Sequence, residues 1–317
     1  METRGAVPRG AVAVLGATAT GKSRLGIALA QRFDGEIVNC DSTAVYRRFD
    51  IGTDKVAPEE RHGIPHHLID IVEPIEAYSA AQYATQAARV VREILDRGKL
   101  PILVGGTGFY YRALTRGLFP GPSRDGALRA RLQRVIEHRG PERVHRWLAR
   151  VDPASGRRIH PHDIVRVVRA LEVYLATRVP LSTHFAETRS PLGDLPVAAL
   201  ALQLPAPELA ERLAVRVDSQ FARGIVREVQ AILASGVPET AHPFSGLVYR
   251  QVLEMLHGVR DEADTRALIV RENRRYARRQ LIWFKKEPNL RWFPTPGERA
   301  ETADAAAAWV RTTHVLV

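Results

Sequence analysis

The chain has 317 residues and a formal net charge of +11 at pH 7, from 46 lysines and arginines against 35 acidic residues. With 45% hydrophobic residues it can bury a core of one large domain or two smaller ones, and no apolar run approaches the roughly 20 residues that span a bilayer, so no membrane association is expected. The single cysteine, Cys40, excludes a disulfide within the chain and any cysteine-built metal centre, while the surplus of base favours polyanionic partners.

In chain order, the apolar run at 11–15 predicts a buried strand. It is too short for a secretory signal, which makes the cytoplasm the expected location. Residues 23–32 place Leu25, Ala28 and Leu29 at helical spacing, and 36–40 and 68–71 predict two more strands. Residues 79–97 predict a helix with Ser79 as its N-cap and Gly98 just past its end. Residues 100–104 predict a fourth strand, closed by Gly105 and Gly106. Strand and helix alternating in this way predict a parallel sheet wrapped by helices.

Glycines and prolines at 117–123 break the pattern. From 124 to 185 the periodicity is helical only and rich in arginine, and a second break falls at 191–196. Residues 197–204 return to a strand-like run; helices are predicted over 208–223, 225–235, 248–256 and 265–286. The expected organisation is an α/β core formed by 1–121 and 192–317, interrupted by an all-helical insertion at 122–191.

The segment Gly16-Ala17-Thr18-Ala19-Thr20-Gly21-Lys22-Ser23 meets the full pattern of a P-loop, with a strand before it and a helix after it. Its glycines let backbone amides wrap an anion, Lys22 supplies charge to terminal phosphates, and Ser23 is a candidate Mg²⁺ ligand. The expected fold is therefore a P-loop NTPase-like parallel sheet flanked by helices. The loop identifies phosphates, not a reaction: ATP-binding kinases, nucleotide hydrolases and transferases share it. Asp41 and Ser42 close the second predicted strand, and Thr107 follows the fourth, so all three face the same crevice. Asp41 there is a magnesium ligand, a general base or a helix cap. Late in the chain Arg271, Arg274, Arg275, Arg278 and Arg279 share one helical face leading to Trp283, Phe284, Lys285 and Lys286. Such a stripe is either a nucleic-acid surface or a solvated face with Trp283 in the core.

Taken together the motifs resemble those of bacterial tRNA dimethylallyltransferases, also called tRNA isopentenyltransferases, over roughly residues 12–293. The matching pieces are the P-loop, Asp41-Ser42-Thr43-Ala44-Val45-Tyr46 with Asp50-Ile51-Gly52-Thr53, His66-His67-Leu68-Ile69-Asp70, Tyr78-Ser79-Ala80-Ala81, Pro101-Ile102-Leu103-Val104-Gly105-Gly106-Thr107, the stretch Arg166-Val167-Val168-Arg169-Ala170-Leu171-Glu172-Val173, and Arg278-Arg279-Gln280.

The resemblance implies transfer of a dimethylallyl group from dimethylallyl diphosphate to N6 of the adenine 3′ of the anticodon, in tRNAs reading codons that start with U. It implies Mg²⁺ as cofactor, the tRNA anticodon stem-loop as partner and a monomer. The P-loop then holds the donor's diphosphate, with Arg212 and Arg216 as further ligands. Asp41 matches the base, and Lys22 and Thr107 complete the catalytic set. Asp41, Ser42, Thr43, Ala44, Thr107, Arg129, Val165, Arg166, Val167, Val168 and Arg169 match positions that contact tRNA. The sequence departs from the pattern at Val165, where many relatives carry glutamine, and at Val248, where glycine is more usual. A P-loop kinase or NTPase acting on a small molecule is the alternative, and a non-catalytic RNA-binding protein a third class.

Overall fold

β1 (Ala11–Gly16), β2 (Gly35–Asn39), β3 (His66–His67), β4 (Leu100–Gly105), β5 (Val197–Leu202) and β6 (Leu290–Phe293) form one parallel sheet in the order β3-β2-β4-β1-β5-β6. The computed structural model describes residues 7–119, 121–122 and 125–316. Residues 1–6, Val317, Pro120 and Ser123 of the first predicted break, and Arg124 at the start of the predicted helical stretch lie outside the described residues.

β1, β2 and β4 are buried along their whole length; β1 and β4 accordingly read as apolar runs rather than alternating ones, whereas β2 also buries Glu36, paired with Arg97 and His67, and Asn39, bonded to Leu68 O. α1 (Lys22–Arg32) and α13 (Ala300–Arg311) cover one part of the sheet, where Leu25, Leu29, Ala306 and Val310 join Val12, Val14 and Ile102 in a core. α2 (Ala80–Asp96) begins with a capping box between Ser79 and Gln82. It ends as predicted at Gly98 (φ 72°), where Gly98 N donates to Leu95 O and Lys99 N to Ile94 O in a Schellman motif.

One expectation fails. Residues 68–71 are not a strand: Leu68 and Asp70 adopt positive φ, 61° and 55°, which no strand tolerates, and the pairing moves back to His66–His67. Beyond the last predicted helix, Leu290–Phe293 adds an edge strand beside β5 that the sequence reading does not predict.

The described chain divides into two compact units, Arg116–Ser190 and the remainder, against the expected insertion at 122–191. The smaller unit holds α4 (Gly126–Arg139), α5 (Pro141–Val151), α6 (Pro153–Arg158), α7 (Ile164–Thr177) and α8 (Leu181–Glu187). Leu132, Ile136, Leu148, Val167 and Leu171 give it its own hydrophobic core. Buried Asp152 caps α6 through Ser155 N (2.9 Å) and also accepts from Ser182 Oγ (2.7 Å), tying α6 to α8. The larger unit adds α3 (Gly108–Arg116), α9 (Ala206–Ala222), α10 (Ile225–Ala234), α11 (Leu247–Leu256) and α12 (Glu262–Phe284). No helix among the described residues is long and apolar enough to cross a membrane.

Candidate active site

The P-loop leaves β1 at Gly16 and enters α1 at Lys22. Ala19 (φ 61°) and Gly21 (φ 86°) take left-handed conformations that turn the backbone around a concavity. Gly21 is also the N-cap of α1 and supplies no side-chain cap, so the first-turn amides stay open to an anion. A Cβ at Gly21 would fall 2.7 Å from the backbone N of Gly297, and with φ at 86° the position is closed to larger residues. Ala17 and Thr20 are fully buried, and Thr20 Oγ1 donates to Ala17 O at 2.9 Å. The loop thus presents backbone, together with Thr18, Lys22 and Ser23, to a cleft of 480 Å³. That volume suits a small-molecule substrate.

Residues far away in sequence hold the loop in shape. Gln280 of α12 accepts from Thr18 N at 2.9 Å and donates from Nε2 to Gly106 O at 2.9 Å, joining the P-loop to the end of β4. Arg212 of α9 donates from Nε to Ala19 O at 2.7 Å and pairs with Glu298 at 2.5 Å. The sequence reading places Arg212 on the ligand's phosphates. In the structure its guanidinium engages the loop's own backbone and Glu298, and Arg212 is not among the residues that line the cleft. Arg216, one helical turn later, does line the cleft, with Nε 2.5 Å from Asp54 Oδ2. Arg223 and Gln220 (Nε2–Oδ2 2.7 Å) also engage Asp54, which fixes that carboxylate from α9.

Asp41 stands just past β2, framed by Asn39, whose Oδ1 accepts from Asp41 N at 3.1 Å. Its Oδ1 accepts from Thr43 N (2.9 Å) and Thr43 Oγ1 (2.7 Å), while its Oδ2 has no partner among the described residues. Ser42 N donates to Thr107 Oγ1 at 3.0 Å, and that hydroxyl also reaches Ser42 Oγ at 3.3 Å. Thr107 therefore sets the turn that carries Asp41, and does so from the end of the neighbouring strand. A Cβ at Gly105 would lie 2.0 Å from Cys40 O, so glycine permits the two strand ends to approach.

Burial lowers the Lys22 ammonium to about 8; Arg216 adds to this and the Asp41 carboxylate opposes it. Lys22, Asp41 and Arg216 thus form one electrostatic unit. Lys22 Nζ donates to Ala17 O at 2.5 Å. Tyr276 of α12 also lines the cleft, its phenol pushed up by burial and then by Asp41. Burial raises Cys40, directly before Asp41, to about 12, so it is an inert thiol. Gln280, Tyr276 and Asp54 carry no role in the sequence reading, and no local spacing links them to the P-loop.

For the expected metal, the cleft offers the exposed Ser23 and the free oxygen of Asp41, and the described residues contain no cluster of three or more histidine, cysteine, aspartate or glutamate residues that could hold an ion alone. Such a sparse oxygen set fits Mg²⁺ shared with substrate phosphates rather than an all-protein cage.

Asp41, Ser42, Thr43 and Ala44 all line the cleft. In the helical unit, buried Glu172 takes Arg129 (2.9 Å) and Arg169 (2.6 Å) together. Val167 and Val168 are in the core of that unit, not at its surface. Val165 is 74% exposed, and Arg166 is exposed beside Asp163 at 3.0 Å. Of the expected RNA-contacting stretch, Val165 and Arg166 are freely presented; Arg129 and Arg169 are first of all structural ion-pair partners.

The profile of the family described as IPP transferase matches residues 44–287. The chain belongs to this family. It is 44% identical over 299 residues to the tRNA dimethylallyltransferase of Koribacter versatilis, covering 94% of this chain and 97% of that protein. It is 45% identical over 295 residues to the tRNA dimethylallyltransferase of Solibacter usitatus, covering 93% and 96%. The crystal structure of the full-length tRNA isopentenylpyrophosphate transferase of Bacillus halodurans superposes with a TM-score of 0.70 at 32% identity, over 96% of each chain. A eukaryotic dimethylallyltransferase, crystallised acting on tRNA, superposes with a TM-score of 0.77 at 28% identity, over 94% of this chain and 77% of that one. The family's matched span holds Thr107, Arg216 and Gln280; the P-loop and Asp41 precede it.

Proposed function

We propose that this chain transfers the dimethylallyl group of dimethylallyl diphosphate to N6 of the adenine 3′ of the anticodon in tRNA. The observation that carries the reading is the pairing, in one cleft, of a phosphate-binding loop bearing Lys22 with the Asp41 carboxylate, one of whose oxygens is free. A small-molecule kinase can use both as well, and it is membership of the IPP transferase family that favours transfer to an exocyclic amine.

The chemistry follows from those groups. The lone pair of the adenine amine is delocalised into the ring, so the amine attacks well only if its proton leaves as the bond to carbon forms. Asp41 Oδ2 accepts that proton. The bond between C1 of the dimethylallyl group and the bridging oxygen breaks, and its electron pair leaves with diphosphate. Lys22, Arg216 and the amides of the P-loop neutralise the charge that develops there. Ser23 would hold Mg²⁺, which would supply further charge neutralisation when bound. Thr107 and Asn39 keep the Asp41 turn in place throughout. Extruding an unpaired loop base to reach such a cleft costs only a few kcal/mol.

The test is incubation with dimethylallyl diphosphate, Mg²⁺ and an unmodified tRNA transcript bearing adenines after its anticodon, followed by nucleoside mass analysis. Prenylated adenosine is expected. Its absence, with ATP turned over by the same protein, would select a P-loop kinase or NTPase. Asp41→Asn keeps the turn's acceptor oxygen and removes the base, so turnover should fall by about 10²–10⁴ with tRNA affinity little changed; near-normal turnover removes Asp41 from this role.

A further inference from the structure

We infer that Asp54 is a positioning residue for the reaction: its carboxylate holds the Arg216 guanidinium in the cleft, ready for the leaving diphosphate. The inference rests on the reading that Arg216 meets that diphosphate, and adds the group that keeps it in place.

Asp54 is a fixed carboxylate. It lies in the turn at 50–55, where its N donates to Ile51 O at 3.1 Å and its φ is 51°. Aspartate tolerates that left-handed conformation better than most residues. Other elements pin the turn. Glu228 of α10 accepts from Ile51 N at 2.8 Å, and the Tyr249 hydroxyl of α11 accepts from Gly52 N at 3.0 Å. Lys55 Nζ bridges Asp50 (2.6 Å) and Asp70 (2.5 Å). From α9, fully buried Gln220 donates to Asp54 Oδ2 at 2.7 Å, and Arg223 at the end of that helix donates to Oδ1.

Arg216 is the opposite case, a long side chain with many rotamers. Its Nε lies 2.5 Å from Asp54 Oδ2, and no other carboxylate pairs with it among the described residues. A free arginine loses its rotamer freedom at each binding event, whereas one already paired has lost it beforehand. Contact through Nε suits that purpose, because it leaves the outer nitrogens of the fork for a ligand. The placement is right as well. The Lys22 ammonium and the Tyr276 phenol are shifted first by burial and next by Asp41, and Arg216 acts on both. The guanidinium therefore stands in the cleft with the P-loop lysine.

A clamp for the turn alone would not need this contact, since Gln220 and Arg223 already tie Asp54 to α9. Nor does pairing by itself put an arginine on the ligand. Arg223 shares Asp54 and Arg212 pairs with Glu298, yet neither lines the cleft. Arg216 combines a cleft position with a carboxylate fixed from outside its own helix.

The test is a double-mutant cycle on the full chain, read as affinity for inorganic diphosphate at one fixed pH, so that it does not depend on prenyl transfer. Arg216→Gln should weaken binding about 10- to 100-fold. Asp54→Asn keeps the size of the side chain and removes its charge. Alone it should weaken binding about five- to tenfold, and in the Arg216→Gln background by less than about twofold. Arg223→Gln, which removes only a partly exposed partner of the turn, should bind within about twofold of the wild type. In the transfer assay Asp54→Asn should raise KM for dimethylallyl diphosphate and leave KM for tRNA unchanged. A loss that persists in the Arg216→Gln background, that Arg223→Gln reproduces, or that raises KM for tRNA in step makes Asp54 a clamp for its own turn and overturns the inference. So does an Asp54→Asn variant that binds as tightly as the wild type or more tightly, because the carboxylate would then compete with the ligand. Those outcomes leave Arg216 on the diphosphate. Wild-type affinity in Arg216→Gln removes it from there, and the inference falls with that reading.

Discussion

Lys22 shows how one residue couples the chemistry of the cleft to pH. Its ammonium is lowered to about 8, mainly by burial. A bound dianion favours the charged form, so affinity for a phosphate dianion should be flat below about pH 8 and fall by up to about tenfold per pH unit above it. Inorganic diphosphate loses its own last proton within this range, so the break is read with a phosphate monoester, whose last ionisation near pH 6 is complete by then. Titration calorimetry between about pH 7 and 9.5 measures the break. Lys22→Arg should abolish it, since a guanidinium stays charged throughout. Arg216→Gln makes a sharper prediction. Arg216 pushes Lys22 down, so its removal should weaken binding overall yet move the break to higher pH. A break that stays in place would mean Arg216 and Lys22 do not share one ligand. Arg212, four positions earlier on the same helix, should behave differently: its loss frees Ala19 O and loosens the loop, without moving the break.

Among the elements, α7 and α4 illustrate a buried ion cluster that organises helices. Glu172 on α7, its side chain 1% exposed, accepts from Arg129, Arg169 and Asp125 N. The Arg129 hydrogen bond is the largest cause that lowers its carboxyl to about 2. A depressed carboxyl stabilises above its ordinary range, and that contribution is lost as pH falls from about 4.5 toward 2. Glu172→Gln should cost about 2–3 kcal/mol at pH 7, below the 3–5 of a fully buried pair, because side-chain exposures of 30% and 33% leave both guanidinium groups partly in water. The gap between wild type and variant in thermal midpoint should shrink as pH drops below about 4.5; a constant gap would show that charge is not what the site contributes. The same elements show what the sequence makes legible. β1, β4 and β5 were readable because largely buried parallel strands are continuous apolar runs, and β2 from the Ile37-Val38 pair at its centre. β3 and β6 were not: one is two residues with positive φ just beyond it, the other a short edge strand with one exposed arginine. Asp41 was legible from its place after a strand. Arg212 and Gln280 were not, since the same side chains can serve a ligand or a backbone carbonyl, and the choice depends on contacts across 193 and 262 residues.

On the scale of the whole molecule, the chain leaves the α/β unit once and returns to it, and the strand order places β4 between β2 and β1, which no local pattern announces. The detour is self-contained. It has its own core around Leu148 and Leu171, its own buried Glu172 cluster, and ends that meet: a Cβ at Gly117 would lie 2.1 Å from Arg189 O. Nothing that shapes the P-loop comes from it, since Gln280, Arg212, Glu298 and Gly106 all belong to the larger unit. Residues 118–188 should therefore be replaceable by a short glycine-serine linker across the gap the two ends already close. The shortened protein should melt in a single transition, bind inorganic diphosphate with unchanged affinity and, with the monoester, keep the break near pH 8. Its binding to tRNA should weaken, because the exposed Val165 and Arg166 leave with the excised helices. Loss of diphosphate binding on excision would show that the helical unit shapes the loop after all.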